Sequence, residues 1–221
     1  LFLYVLFLYN KILVMFNFEK YRKINNFVQK VSKNTKIIAI SKNHPKESVV
    51  SAIKAGVNIF GENRVLEAKS KFLEIKTKFP DLQLHLTGPL QSNKVKQAVT
   101  LFDVFHTLDR EKIAKEFSKY EHEMRTKKIF IQVNTGNEIT KSGISEKDLK
   151  NFLAFCKLDL RLNICGLMCI PPIVERPEHH FDLLSKLANQ NNLNELSIGM
   201  SNDYEVALKF NPTYIRLGTV L

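Results

Sequence analysis

Eight short apolar segments alternate with helical segments along the chain, and this alternation limits the possible folds more than any other feature. Each apolar segment is rich in β-branched or aromatic residues and ends at a polar turn, as buried parallel strands do. The predicted strands are 36–41, 57–60, 82–87, 101–107, 128–134, 160–168, 195–200 and 213–217. The predicted helices are 18–31, 46–55, 63–78, 92–99, 110–125, 146–157, 177–189 and 202–209.

Strands that alternate with helices form parallel sheets with right-handed crossovers, and eight of them favour a closed (β/α)8 TIM barrel. An open doubly wound sheet is the alternative, but no G-x-G-x-x-G motif follows the first strand. No linker rich in Gly, Pro or Ser divides the chain. We therefore predict a single α/β barrel over residues 15–221, with an extra N-terminal helix before the first strand.

Residues 1–14 are strongly apolar but contain Lys11. The apolar run before Lys11 is too short to span a bilayer, and it has neither a basic leader nor a small-residue cleavage site. Because Met15 is the first plausible start, we expect residues 1–14 to be a non-native upstream extension and the protein to have no membrane partner. An N-terminal anchor is the alternative.

The formal net charge is +11, which raises the question of a nucleic-acid partner. However, the lysines are dispersed over predicted outer helix faces, as Lys71 and Lys76 are, and no basic run is interleaved with aromatic residues. This pattern is typical of solvated faces, so we expect no nucleic-acid partner. The three cysteines have no C-x-x-C spacing, which favours free thiols in a reducing compartment and a cytoplasmic location.

Small and polar residues gather after the predicted strands, which is the end at which barrels of this class carry their sites. Ser201 offers a hydroxyl at a predicted helix start, where free N–H groups favour an anion. Gly218 would let a phosphate approach the backbone closely, and Thr219 adds a hydroxyl. The pattern fits either a plain helix cap and strand exit or a phosphate site.

Lys42 and Arg216 are the two charged candidates at this end of the barrel. Lys42 follows an apolar strand, where loss of hydration would favour the neutral amine that attacks a carbonyl; a lysine that reaches out to solvent is the alternative. Arg216 shares the inner face of its strand with Gly218, because alternate residues face the same side. An ion pair inside the barrel would also explain Arg216.

Eight segments together resemble one known family, the YggS/PROSC-type pyridoxal phosphate homeostasis proteins. They are IIAISKNHP (37–45), FGENRVLEAKSK (60–71), LHLTGPLQSNKVK (84–96), HTLD (106–109), IQVNTGNEITKSGI (131–144), GLMCIPP (166–172), IGMSNDYEVAL (198–208) and YIRLGTVL (214–221). The resemblance covers the chain from about residue 20 to its end. The family usually continues for a few residues beyond the Gly-Thr pair, so we expect any truncation here to loosen the phosphate site.

The resemblance implies a fold-type III barrel like that of alanine racemase, with pyridoxal 5′-phosphate held as an internal aldimine, a Schiff base, on Lys42. By the same matching, Ser201, Gly218 and Thr219 hold the phosphate and Arg216 faces the pyridine nitrogen. Asn63 and Met200 line the pocket. The implied role is intracellular cofactor homeostasis without catalytic turnover.

A small pyridoxal phosphate-dependent racemase or decarboxylase is the alternative function. A racemase needs a second base, and Tyr204 and Tyr214 are candidates for which no partner is evident. We therefore expect a monomeric carrier, with pyridoxal phosphate-dependent apoenzymes as possible recipients.

Overall fold

The structure, a computed structural model, describes residues 16–218, and their strands close into one parallel barrel in chain order. The strands are β1 Lys36–Ile40, β2 Ile59–Glu62, β3 Gln83–Leu86, β4 Val104–Leu108, β5 Lys128–Gln132, β6 Ile164–Met168, β7 Glu195–Met200 and β8 Tyr214–Leu217. The pairing of β8 with β1 closes the barrel, which confirms the predicted (β/α)8 fold. Residues 1–14 and Met15 lie outside the described residues, so the upstream extension stays a prediction.

Helices surround the barrel and connect its strands. They are α1 Phe18–Val31, α2 Lys46–Lys54, α3 Val65–Lys78, α4 Val95–Leu101, α5 Glu111–Ser118, α6 Glu121–Met124, α7 Glu146–Ala154, α8 Pro177–Gln190 and α9 Tyr204–Ala207. Short 3-10 turns cover Ser92–Lys94 and Leu208–Phe210, and a π-helical turn covers Phe155–Asp159. None of the helices within residues 16–218 has the length and apolar character needed to cross a bilayer.

Two apolar cores hold the barrel together, because each strand is buried on both faces. The larger core lies between the strands and the helices. The smaller core fills the barrel interior and consists of Ile38, Ile40, Ile59, Val104, Phe130, Met168 and Tyr214. The carboxyl ends of the strands form the open mouth of the barrel, where this architecture places its functional sites.

The predicted extra helix α1 packs beside the last strand. The hydroxyl of Thr35, just after α1, donates to the carbonyl of Pro212 at 2.6 Å. Phe27 of α1 meets the ring of Tyr204 edge-on, with 6.4 Å between ring centroids. The helix thus covers the outside of the barrel where β8 meets β1.

Several predicted boundaries are wrong. Strand β4 begins at Val104 rather than 101 because Leu101 completes α4, and β6 begins at Ile164 rather than 160 because the chain turns at Arg161, which has a φ of 52°. The predicted helix 110–125 is two helices, since Tyr120 leaves the helical conformation. Helix α7 begins as its sequence requires, with the hydroxyl of its N-cap residue Ser145 accepting from the Asp148 N–H.

Candidate functional site

The predicted site residues lie at the carboxyl ends of four strands that are consecutive in the closed barrel. In barrel order they are Met200 and Ser201 at β7, Arg216 and Gly218 at β8, Lys42 after β1 and Asn63 after β2. Thr219, also predicted, lies outside the described residues. The fold therefore gathers these residues on one side of the barrel mouth.

Lys42 takes the next inward position after β1. Ile38 and Ile40 face the barrel interior, and alternation places Lys42 on the same side and Ser41 on the other. Ser41 is completely buried, whereas Lys42 is exposed. The predicted loss of hydration at Lys42 is thus wrong for the chain on its own, because the mouth is open to solvent.

Arg216 lies inside the barrel wall and is held by hydrogen bonds. Its guanidinium donates to the carbonyl and hydroxyl of Ser197, at 2.7 and 2.8 Å, and to the carbonyl of Cys169 at 3.0 Å. Within residues 16–218 it has no ion-pair partner, so the alternative of an internal ion pair is not seen among them. Burial lowers its pKa below the ordinary value, but an arginine keeps its charge.

A line of buried polar side chains runs from Arg216 across the barrel interior. The Ser197 hydroxyl accepts from Arg216 and lies 2.8 Å from Nδ1 of His106. Nε2 of His106 lies 2.9 Å from Nδ1 of His85, so one of these two nitrogens donates a hydrogen bond to the other. Nε2 of His85 has no partner among the described residues.

Both histidines of this line stay neutral at ordinary pH. Burial lowers the pKa of His85 to about 3 and that of His106 well below its usual value. Arg216 is therefore the charged member of the line. Sequence analysis gave neither histidine a role, although each interrupts an apolar strand at an inward position and could have been noticed on that ground.

Gly218 leaves open space next to β1. Among residues 16–218, a Cβ at this position would meet only the Cβ of Ile40, at 4.0 Å. The space adjoins β1, the strand that Lys42 follows, so a group held at the Gly218 backbone would lie near β1. This agrees with the predicted close approach of a ligand to the backbone.

Ser201 does not stand at a helix start as predicted. Helix α9 begins at Tyr204, its N-cap residue is Asp203, and the Asp203 carboxylate accepts from the Met200 N–H at 2.5 Å. Ser201 lies in the turn between, and it is partly exposed. Gly199 has a φ of +88° and lies against Ala207. A Cβ at position 199 would come within 2.7 Å of the Ala207 Cβ, so this close approach requires glycine.

Asn63 marks the other side of the mouth. Its side-chain oxygen accepts from the Thr87 hydroxyl at 2.9 Å, which fixes its orientation. The exits of β2 and β3 are also close together, because a Cβ on Gly88 would come within 2.3 Å of the Asn63 carbonyl oxygen. Asn63 is thus a fixed polar group at the rim, next to the strand that carries Lys42.

One lysine predicted to be solvated is buried behind the site. Lys71 of α3 donates to Glu62 at 2.7 Å and to the carbonyl of Ser41 at 2.6 Å. The prediction of an outer, solvated position for Lys71 is therefore wrong. Its partners lie nine and thirty residues away in the chain, so the sequence gives no local signal of the contact.

Comparisons with known proteins agree with this architecture. Residues 20–221 match the family described as alanine racemase, N-terminal domain. The pyridoxal phosphate homeostasis protein of Vibrio alginolyticus is 35% identical over 199 residues, which cover 85% of each chain. The fold is also that of alanine racemase from Acinetobacter baumannii, with a TM-score of 0.73 at 14% identity, over 93% of this chain and 61% of the racemase.

A solved relative shares most of its length with this chain. PipY of Synechococcus elongatus, in its structure with pyridoxal phosphate bound, superimposes with a TM-score of 0.79 at 33% identity. The match covers 91% of this chain and 98% of PipY. Matching barrel, motifs and extent together give one conclusion: the chain belongs to the pyridoxal phosphate homeostasis proteins, within the family of the alanine racemase N-terminal domain.

Proposed function

We propose that this protein binds pyridoxal 5′-phosphate through a Schiff base on Lys42 and takes part in homeostasis of the cofactor without catalytic turnover. The observation that carries the proposal is Arg216, a buried cation without an ion-pair partner among the described residues, on the strand next to Lys42. The family and the relatives named above support the same ligand.

The residues at the mouth fit the parts of this cofactor. The open side of Gly218, with Ser201 in the turn after β7 and Thr219 next in sequence, would hold the phosphate. Arg216 would face the pyridine nitrogen and disfavour its protonation, which makes the ring a weak electron sink. Asn63 and Met200 would line the pocket from either side.

Lys42 supplies the covalent attachment. Its neutral amine would form a C=N bond with the cofactor's aldehyde carbon, and the carbonyl oxygen would leave as water with two protons from the nitrogen. The bond is reversible, which suits a protein that stores and releases its ligand. An exposed Lys42 is also accessible to a ligand that arrives from solution.

The positions of the two candidate second bases support a carrier over a racemase. Tyr214 lies in the interior core below the mouth, edge-on to His85 and Phe130. Tyr204 lies on the outside, where its hydroxyl donates to Glu205 and its ring meets Phe27. Neither hydroxyl is placed to exchange a proton with a substrate above Lys42.

We further propose that the protein is a cytoplasmic monomer that passes the cofactor to pyridoxal phosphate-dependent apoenzymes, without nucleic-acid or membrane partners. The free thiols of Cys156, Cys165 and Cys169 support a reducing compartment. Their burial raises the pKa of each to about 12, so they stay protonated and inert.

Absorbance titration with pyridoxal 5′-phosphate tests the proposed function. We expect the native chain to give the absorbance of a Schiff base, and Lys42→Ala to lose it. A coupled assay should then show transfer to an apoenzyme but no interconversion of alanine enantiomers. Sustained racemisation by the purified chain, abolished in Lys42→Ala, would contradict the carrier proposal and favour the alternative.

A further inference from the structure

A buried ion-pair network lies directly behind the point where Lys42 leaves β1. Lys71, only 8% exposed, donates to Glu62, which is completely buried, and more weakly to Glu67 at 3.4 Å. The Ser41 hydroxyl donates to the same Glu62 oxygen at 2.6 Å. These residues face away from the barrel interior, so they do not contact a ligand at the mouth.

The network holds the residues on both sides of Lys42. On one side, the Ser41 N–H donates to the carbonyl of Gly61 at 2.9 Å, and its carbonyl accepts from Lys71. On the other side, the Asn43 N–H donates to Glu67 at 2.9 Å. Asn43 has a φ of 64°, a left-handed backbone conformation that residues other than glycine adopt at an energetic cost. The hydrogen bond to Glu67 helps to hold this conformation.

We propose that Glu62 and Lys71 are positioning residues that fix the place and direction in which Lys42 leaves the strand, an inference that rests on the proposed function of Lys42. Every polar atom of Ser41 is engaged, so its backbone cannot rotate without breaking the network. Lys42 itself is exposed and has a flexible side chain. The direction in which its amine approaches a ligand therefore depends on how firmly the neighbouring residues are held.

A purely structural ion pair would stabilise the fold without positioning Lys42. A paired substitution distinguishes this role from the positioning role. The double variant Glu62→Gln with Lys71→Met removes both charges together, so no unpaired charge is left in the interior. Replacing a buried pair in this way is often tolerated by the fold. The variant removes the donor to the Ser41 carbonyl while the residues of the mouth stay unchanged.

Two ligands give the required readouts. Pyridoxine 5′-phosphate has no aldehyde, so its affinity reports docking alone, whereas the rate of absorbance change with pyridoxal 5′-phosphate reports bond formation by Lys42. We expect the double variant to bind the first within about twofold of native affinity. We expect it to form the bond at least about tenfold more slowly, because misplacement of a reacting group slows reaction.

Matched variants complete the experiment. Lys128 and Glu195 form an ion pair of similar length but greater exposure, with 2.6 Å between Nζ and Oε1, at the amino ends of β5 and β7. The double variant Glu195→Gln with Lys128→Met should leave both readouts unchanged. Glu67→Ala, at a partly exposed position, removes the bond to Asn43 and the weaker contact with Lys71, and it should also slow bond formation if the paired variant does not fold.

The outcomes are distinguishable. If the native chain forms no bond at Lys42, the proposed function is refuted, and the positioning role of Glu62 and Lys71 is refuted with it. If the native chain forms the bond and the folded Glu62/Lys71 variant matches its rate, the positioning role alone is overturned. A proportional loss of docking and of bond formation would likewise overturn it, because that result indicates general loss of structure.

Discussion

At Gly218, we propose that the absence of a side chain serves the ligand more than the fold. Its φ is not in the left-handed region, and an added Cβ would meet open space. We expect Gly218→Ala to leave the free energy of unfolding unchanged or to raise it by up to about 1 kcal/mol, as at other sites that tolerate alanine. The same methyl should weaken cofactor binding by roughly tenfold, equivalent to about 1.4 kcal/mol, which a fluorescence titration measures.

Gly56 provides the contrasting control. It lies between α2 and β2, has a φ of +94° and has no atom near its missing side chain. Gly56→Ala should therefore lower the free energy of unfolding by about 1 kcal/mol, because alanine is strained in this conformation. Its cofactor affinity should remain native. Equal affinities for Gly218→Ala and the native chain would remove Gly218 from the phosphate site.

At this scale the sequence predicted inward-facing residues well and contacts between distant segments poorly. Strand alternation correctly placed Arg216 and Gly218 on the inner face of β8. The helix start assigned to Ser201 was wrong because Asp203 is the N-cap residue, a choice that depends on the turn made possible by Gly199. The network of Lys71 was missed because burial of a charged helix residue depends on which strand ends lie behind it.

At the scale of the elements, the interior of the barrel contains a layer of stacked rings. His106 lies parallel to Phe130, with 4.7 Å between centroids, and stacks on His85 at 5.1 Å. Tyr214 meets the rings edge-on. Strands β3, β4, β5 and β8 each contribute one ring, so the layer joins elements that are distant in sequence and makes their packing interdependent.

This layer predicts sensitivity to acid. The pKa of His85 falls from the ordinary 6.5 to about 3 on burial, so between these values the unfolded chain binds a proton that the folded chain does not. The free energy of unfolding must then decrease as the pH falls through that window, by roughly 1 kcal/mol per pH unit for such a histidine. His85→Phe keeps a ring in the layer and should make the slope shallower by that amount.

Urea unfolding followed by circular dichroism, from about pH 7 to about pH 4, measures the slope. His122→Gln, which removes an exposed histidine on α6, is the control and should keep the native slope. An identical slope in His85→Phe and the native chain would mean that His85 is protonated in the folded state.

Element identities followed from periodicity, whereas several element ends did not. The hydrophobic pattern located all eight strands, but Leu101, which ends α4, and Leu160 and Leu162, which lie in the connection before β6, are as apolar as the strands they precede. A register shift between Ser197 and Met200 in the pairing of β7 with β8 was equally invisible. Between these two residues, Gly199 has a φ of +88° and lies against Ala207 of α9, a contact that only the folded chain contains.

For the whole molecule, closure of the barrel brings the first and last strands together at the candidate site. Strands β1 and β8 stand at opposite ends of the described chain, yet Ile38 pairs with Arg216 and Ala39 with Leu217. The count of eight strands favoured this closure over the alternative of an open doubly wound sheet. Lys42 and the open side of Gly218 are neighbours only as a result of it.

The central claim is a covalent bond between Lys42 and pyridoxal 5′-phosphate, and intact-protein mass spectrometry tests it most directly. The chain is incubated with pyridoxal 5′-phosphate, reduced with borohydride, weighed intact and then digested. We predict a single added group per chain, found on the peptide that contains Lys42. A reduced adduct on another lysine, or a bound cofactor that leaves no adduct after reduction, would contradict the account.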